Sequence, residues 1–483
     1  MKASFLVSAF LILTGSGCGA ERVGNKAWMG TARHPIEEAS PTSDASTTAA
    51  EPDPADLHAE PPPSSPSASA VLGTQKGSPS PGVSGPNGER ALAALMEGHQ
   101  VHRPPRLRLP ELHEPFGDPV FGTCITRVTD PTQWFGQKRI RHYYSKADPF
   151  NADSTRAILV GSSGVHLLYD AETWTPIHAL RTASSEAELH WHPTDPSVLY
   201  QVDRVGNSSD LRGIYRYDVG SDTKQLLRDF SEYESAKGKM EGNLDGSGRY
   251  YALVGKQSDG QLEAFVYDLK KDEKSPPARV TGQMAGDWIS VTPSGKYVVL
   301  MGGDRSRVYD LQMRHLRDLP KGSFGHADLC TTADGRDVMV YDGADHQLNE
   351  NRNINIIDLT SGEASIGTRI GWKATPHVSC RNLDMPGWAL ISTQGPDPKY
   401  PNHDFEVFWL KLDGSGEVRR IAHHHSSRKN GGYFAEQHAV TNRKGTIVVF
   451  ASNWGDNAPS DYVVDLRGPG FAGVSSTSVT TCR

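Results

Sequence analysis

The chain has 483 residues, with Lys+Arg 50 against Asp+Glu 57 and a formal net charge of −7. Apolar residues make up only 36% of it, below the ~45–50% of an ordinary globular chain, so part of the length is not core. Mild acidity without a basic block argues against a nucleic-acid binder, and this composition with Cys 5 excludes a membrane channel and a disulfide-dense miniprotein.

In chain order, Met1-Lys2 leads into an apolar run from Ala3 to Leu13, then small residues up to Cys18. A basic start, a short apolar run and small residues before a cut point mark a secretory signal. The run is too short to span a bilayer, which takes ~20 residues. Cys18 after Gly15-Ser16-Gly17 resembles the acylated Cys of bacterial lipoproteins, with Gly15 standing where that motif has Leu. The expectation is a lipoprotein-type signal over residues 1–18, lipidated at Cys18; an ordinary signal peptide with an incidental Cys is the other reading. Residues 19–100 are expected to form a disordered stalk. Runs such as Pro61-Pro62-Pro63-Ser64-Ser65-Pro66 bury too little apolar surface to offset their chain entropy. The protein is therefore expected to be exported, either secreted or held at the outer membrane or in the periplasm by its lipid alone.

From about Phe116 the pattern changes to short apolar runs broken by Gly, Asp, Asn and Pro. One mark recurs: apolar or aromatic residues, then Asp, as in Leu168-Tyr169-Asp170, Tyr217-Asp218, Tyr267-Asp268, Tyr309-Asp310, Ile357-Asp358 and Val464-Asp465. The steps between these Asp residues are 48, 50, 42, 48 and 107, and Leu412-Asp413 near the middle of the last gap is a degenerate copy. A turn and a β-rich run precede each mark, as in Pro293-Ser294-Gly295 before Tyr297-Val298-Val299. Units of ~40–50 residues with four strands are propeller blades. The prediction is an all-β, seven-bladed β-propeller over residues 101–483, behaving as a monomer.

Seven units from near Arg141 leave one extra strand upstream, around Gly122–Val128, to complete the last unit from the other end of the chain. Cys124 and Cys482 lie at those two ends and are expected to form a closing disulfide, which export permits. Cys330 and Cys380 each follow a His in a first strand; a disulfide and two buried thiols are both open for them.

The first strands of a propeller converge on one funnel. His142, Tyr144 and Lys146 alternate before the first unit, which would put them on one strand face. The later units open with His190, Glu241, Asp287, His326 with Asp328, His377, and Glu436-Gln437-His438. A lone His at a strand start commonly does no more than bond a neighbouring carbonyl; recurrence around one funnel points to chemistry. Two chemistries suit it. His326, His377 and His438 with Glu436 offer imidazole and carboxylate ligands for a divalent metal, Mn or Ca. Alternatively, His142, Tyr144, Lys146 and Arg381 supply base, proton and cation for proton abstraction alpha to a carboxylate. The run His423-His424-His425 reads as a polar loop, solvated or facing the funnel.

The repeat of Gly-type turn and Tyr-Asp-Leu resembles the WD40-like propellers of exported bacterial proteins. Within those, Glu436-Gln437-His438-Ala439-Val440 through Asn453-Trp454 resembles the last blade of oligogalacturonate lyases. That resemblance implies a manganese-binding propeller cleaving oligouronides by β-elimination. His438 matches the family motif, while Glu436 stands where a second His would be and Tyr433 where a Gln would be. The functional expectation is an exported carbohydrate-active propeller, a polysaccharide lyase acting on uronate oligosaccharides. The alternative is a non-catalytic propeller binding a glycan or a cell-surface protein.

Overall fold

The computed structural model describes residues 91–467 apart from 240, 324, 346–348, 372–373 and 396–402, together with Cys482. The expected signal, Cys18 and residues 19–90 of the expected stalk lie outside the described residues. No described helix is long and apolar enough to cross a membrane.

Among the described residues the architecture is all-β, built from six sheets that are antiparallel but for one pair of strands. One four-stranded sheet runs Glu188–Trp191, Val198–Asp203, Gly213–Asp218 and Thr223–Asp229 as a meander. The sheets opening with Ile289–Val291 and Ala327–Thr331 have the same form, and so does the sheet opening with Ser235–Lys237 apart from one added strand, Ala278–Val280. The sheet opening with His377–Ser379 has Met96–Glu97 added at its outer edge. The sixth sheet has nine strands and brings early strands, Pro115–Gly117 and Cys124–Arg127, together with the late strand Ser460–Asp465. In it, Cys124–Arg127 pairs antiparallel with Ser460–Asp465, placing Ile125 against Val464. Its two halves meet at one parallel pair, Ser460 with Ile140.

The recurrent Asp has a local cause. At each of the seven marks its carboxylate accepts a backbone N–H two or three residues on. Asp170 takes Thr173 at 2.9 Å, Asp218 takes Ser221 at 2.8 Å, and Asp310 takes Gln312 at 2.9 Å. Asp268, Asp358, Asp413 and Asp465 do the same with Lys270, Thr360, Ser415 and Arg467. The Asp side chain mimics a backbone turn and stops the third strand cleanly. The residues just before it are apolar on both faces because neighbouring sheets cover both. Leu168 and Tyr169, for example, are both buried but belong to different core clusters, one with Trp191 and the other with Trp174.

The folded body starts earlier than residue 101. Ala91, Leu92 and Leu95 are buried against Trp409, Ile421 and Phe450, so residues 91–100 are a packed arm and not stalk. Cys124 and Cys482 form a disulfide with Cα atoms 5.7 Å apart, and Cys330 and Cys380 form a second at 5.1 Å. The first encloses most of the folded chain. Cys124→Ala/Cys482→Ala should therefore cost roughly 2–5 kcal/mol of unfolding free energy, read from guanidinium denaturation. A variant as stable as the parent would show that strand pairing alone closes the chain.

Candidate functional site

Ile140–Arg141 is only two residues long, and the chain then turns, with Ala147 N–H donating to Tyr144 C=O at 3.2 Å. The expected strand alternation of His142, Tyr144 and Lys146 does not form, and the three side chains take different roles. His142 is fully buried and acts as a brace. Its backbone N–H and Nδ1 meet the Asp461 carboxylate at 2.5 and 2.8 Å, and its Nε2 meets the His438 carbonyl at 2.7 Å. Neither ring nitrogen is left for a substrate, which corrects the catalytic expectation for His142. Lys146 is buried against Trp288 and pairs with Glu241, so it is not a bare cation. Tyr144 does reach the site: its ring lies 4.6 Å from that of His438 and 5.6 Å from that of His377.

Glu436, Gln437 and His438 join the 3-10 turn Gly432–Ala435 to the short strand Val440–Thr441. His438 has φ +44°, a left-handed conformation that costs a non-glycine residue on the order of 1 kcal/mol or more. Arg141 holds it there. The buried guanidinium donates to the carbonyls of His142 at 3.2 Å, Phe434 at 2.8 Å and Glu436 at 3.2 Å, and to His438 Nδ1.

The result is a convergent donor set. Glu436 Oε2 lies 3.4 Å from His377 Nε2 and 3.5 Å from His438 Nε2, and all three atoms fall within 4.8 Å of one another. Donors that share one ion stand roughly 3–3.5 Å apart, given metal–ligand bonds near 2.0–2.2 Å. His326 stacks on His377 with ring centroids 4.2 Å apart, but lies outside the three-atom group. Behind it, Asp342 Oδ2 is 3.8 Å from His326 Nδ1 and Asp342 Oδ1 accepts the His326 backbone N–H at 2.8 Å. At the mouth, Arg428 Nε meets Glu436 Oε1 at 3.0 Å.

Burial sets the electrostatics. It pushes His438 well below the usual imidazole range, helped by His377 and Arg141, so the ring is neutral. Burial raises Glu436, opposed by Arg428 and Arg141. It raises Tyr144 well above the phenol range and Tyr433 to about 12, so both keep their protons. Two imidazoles and a carboxylate fit a divalent cation by their chemistry. The fit carries one condition. A guanidinium can only donate, so at Nδ1 it leaves the proton of neutral His438 on Nε2. An ion bound at Nε2 must replace that proton.

Arg381 is not at this cluster. Its Nη2 and Nε meet the Asp328 carboxylate at 2.8 and 3.2 Å, so the catalytic expectation is replaced by a structural one. The triplet at 423–425 is not a solvated loop either. His423 ends the strand Val418–His423, and His423 and His424 are fully buried, under Phe121 and the His102 carbonyl in the case of His423. One cavity, about 540 Å³ and partly open to solvent, is lined by Tyr143, Lys146, Asp148, Glu188, His190 and Glu241 and by none of the three donors. It holds no such convergence, so the donor group is the stronger site. Sequence reasoning missed Arg141, Asp342 and Asp461, whose partners lie in distant segments without a shared motif.

No protein-family model and no curated protein matches the chain. Solved structures do. An oligogalacturonate lyase from Vibrio parahaemolyticus aligns at TM-score 0.54 with 15% identity, covering 73% of this chain and 96% of that one. An oligogalacturonate lyase in complex with manganese aligns at TM-score 0.53 with 16% identity, covering 76% and 98%. The fold is a β-propeller. At these identities the likeness establishes the fold alone, and the propeller's chemistry rests on its own residues.

Several imidazoles of the propeller are held neutral by burial, His424 with its pKa lowered to about 3 and His190 and His425 to about 4. Unfolding exposes them to protonation near the ordinary imidazole value of 6.5, so the unfolded state binds more protons below it. Stability should be fully present above about pH 6.5 and fall progressively toward pH 4, by about 1.4 kcal/mol per pH unit for each such ring. Urea midpoints between pH 7 and 5 test this; a flat profile would contradict it.

Proposed function

We propose that this chain is an exported, lipid-anchored propeller of seven blades that cleaves uronate-containing oligosaccharides by β-elimination at the His377–Glu436–His438 cluster. The nine-stranded sheet can be divided at its single parallel pair into two four-stranded units plus the strand Pro115–Gly117, which supports a count of seven. The single observation carrying the activity is the convergence of two imidazole nitrogens on one buried carboxylate oxygen.

In this reading His377, Glu436 and His438 hold a divalent cation, manganese by analogy with the similar structure solved with it. The cation supplies Lewis acidity toward the substrate carboxylate and stabilises negative charge at the alpha carbon. Arg428 orients that carboxylate from the mouth, where its side chain is 54% exposed. His326, 30% exposed and backed by Asp342, is placed to take the proton alpha to the carboxylate. Tyr144 keeps its phenolic proton and can deliver it to the leaving oxygen, so the bond to the neighbouring sugar breaks as the C=C forms.

The purified chain should bind about one Mn²⁺ and raise the ultraviolet absorbance of uronate oligomers as unsaturated ends appear. His377→Ala should lose both signals, and His326→Ala should keep the ion while losing at least about a hundredfold in rate. Metal without new absorbance would retain the site and refute the lyase. A non-catalytic glycan-binding propeller would show no turnover.

A further inference from the structure

The two disulfides do different work. One joins Cys124 to Cys482, while the other, Cys330 to Cys380, follows two histidines of the donor region closely in sequence. Cys330 belongs to the strand Ala327–Thr331, and Cys380 directly follows the strand His377–Ser379. His326 immediately precedes the first of these strands and His377 opens the second. The bridge therefore sits within four residues of His326 (330 − 326 = 4) and three of His377 (380 − 377 = 3).

These strands open two different sheets, and among the described residues no ladder hydrogen bonds join them. One backbone bond, Gly387 N–H to the Thr331 carbonyl at 2.8 Å, ties the sheets at the end of the first strand away from His326. Nearer the histidines the ties are the disulfide, with Cα atoms 5.1 Å apart, and Asp328. The Asp328 carboxylate, on the first strand, accepts the Cys380 backbone N–H at 2.8 Å and both Arg381 donors. It also accepts the neighbouring Leu329 N–H at 2.8 Å, so its oxygens are saturated. Cys330, Cys380, Asp328 and Arg381 are all buried. Packed sheets can shift against one another where only side chains meet, whereas a working site needs its donors held within about 0.5 Å.

We propose that the Cys330–Cys380 disulfide and the Asp328–Arg381 pair form a positioning clamp that sets the spacing of His326 and His377. The proposal rests on the metal-site reading for its functional meaning, but the clamp acts on the imidazoles whether or not an ion is bound. Neither cysteine touches substrate; both act through the two histidines. The clamp also accounts for Arg381, which sequence reasoning placed in catalysis.

The test compares two double variants of the full chain, Cys330→Ala/Cys380→Ala and Cys124→Ala/Cys482→Ala, by thermal melting, Co²⁺ titration and imidazole ¹H–¹⁵N spectra. Both variants should melt at lower temperature. Only the first should weaken Co²⁺ binding, by about tenfold or more, alter its visible spectrum, and shift the ion-free signals of His326 and His377. Unchanged imidazole signals in the first variant, or equal shifts in both, would overturn the clamp. If the first variant does not fold, Arg381→Lys keeps the disulfide and the charge while losing the two-pronged bond. It should shift the same signals, and unshifted signals would overturn the proposal. Absence of Co²⁺ binding by the parent would refute the metal reading alone, since the ion-free spectra still decide the clamp.

Discussion

Everything at the site depends on how the two ends of the folded chain are joined. Asp461, on the last strand, is the junction. Its backbone N–H donates to Thr129 Oγ1 at 2.7 Å, its carbonyl accepts Val128 N–H at 2.9 Å, and its carboxylate grips His142. Thr129 in turn donates to the Ile140 carbonyl at 2.7 Å. His142 passes the constraint to the His438 carbonyl, and Arg141 passes it to the His438 ring. Ring closure and the strained backbone of a donor residue are thus one hydrogen-bonded network. Removing one member would leave buried charge or buried carbonyls unpaired, which costs far more than a surface contact.

What was legible in the sequence is what is encoded locally. The Asp mark could be read because each Asp satisfies its own turn within three residues, and the mark then gave the phase of every unit. Phase alone brought His326, His377 and His438 to one funnel without any spacing motif. The roles of neighbours were not legible. Arg141 and His142 are adjacent, and nothing in their immediate sequence says that the arginine serves the site while the histidine serves closure. Those assignments come from Asp461 and Glu436, each about 300 residues away along the chain. Ala91, Leu92 and Leu95 escaped because a few apolar residues after a long polar tract look like more tract. They become core only through Trp409 and Phe450. His423 is buried by His102 and Phe121, so most of a polar triplet read as a loop lies inside.

The departures at Glu436 and Tyr433 reshape the site electrostatically. A carboxylate in place of an imidazole brings a negative charge into a buried cluster, and burial pushes its pKa up accordingly. Part of the compensation is Arg141 from behind, which has other partners and cannot leave. The other part is Arg428 from the mouth, half exposed and bonded to Glu436 by one contact. Tyr433 places a protonated phenol beside His438 where a carbonyl donor would otherwise stand, with ring centroids 5.1 Å apart. The inner donor count is therefore three, with His326 set apart.

On the proposed reading, Arg428 would link ion and substrate. Without an ion, its guanidinium neutralises Glu436, and a substrate carboxylate must compete for it against a partner 3.0 Å away. A cation shared by His377, Glu436 and His438 would take over that neutralisation. Arg428 would then be released toward solvent, where a carboxylate can meet it in the two-pronged geometry that guanidinium favours. On the proposed reading, the anionic sugar binds well only where the ion already sits. A site with neutral ligands alone would lack this ordering, because no carboxylate would occupy the arginine beforehand. On the proposed reading, the Glu436 carboxylate would give this chain a coupling between loading and binding.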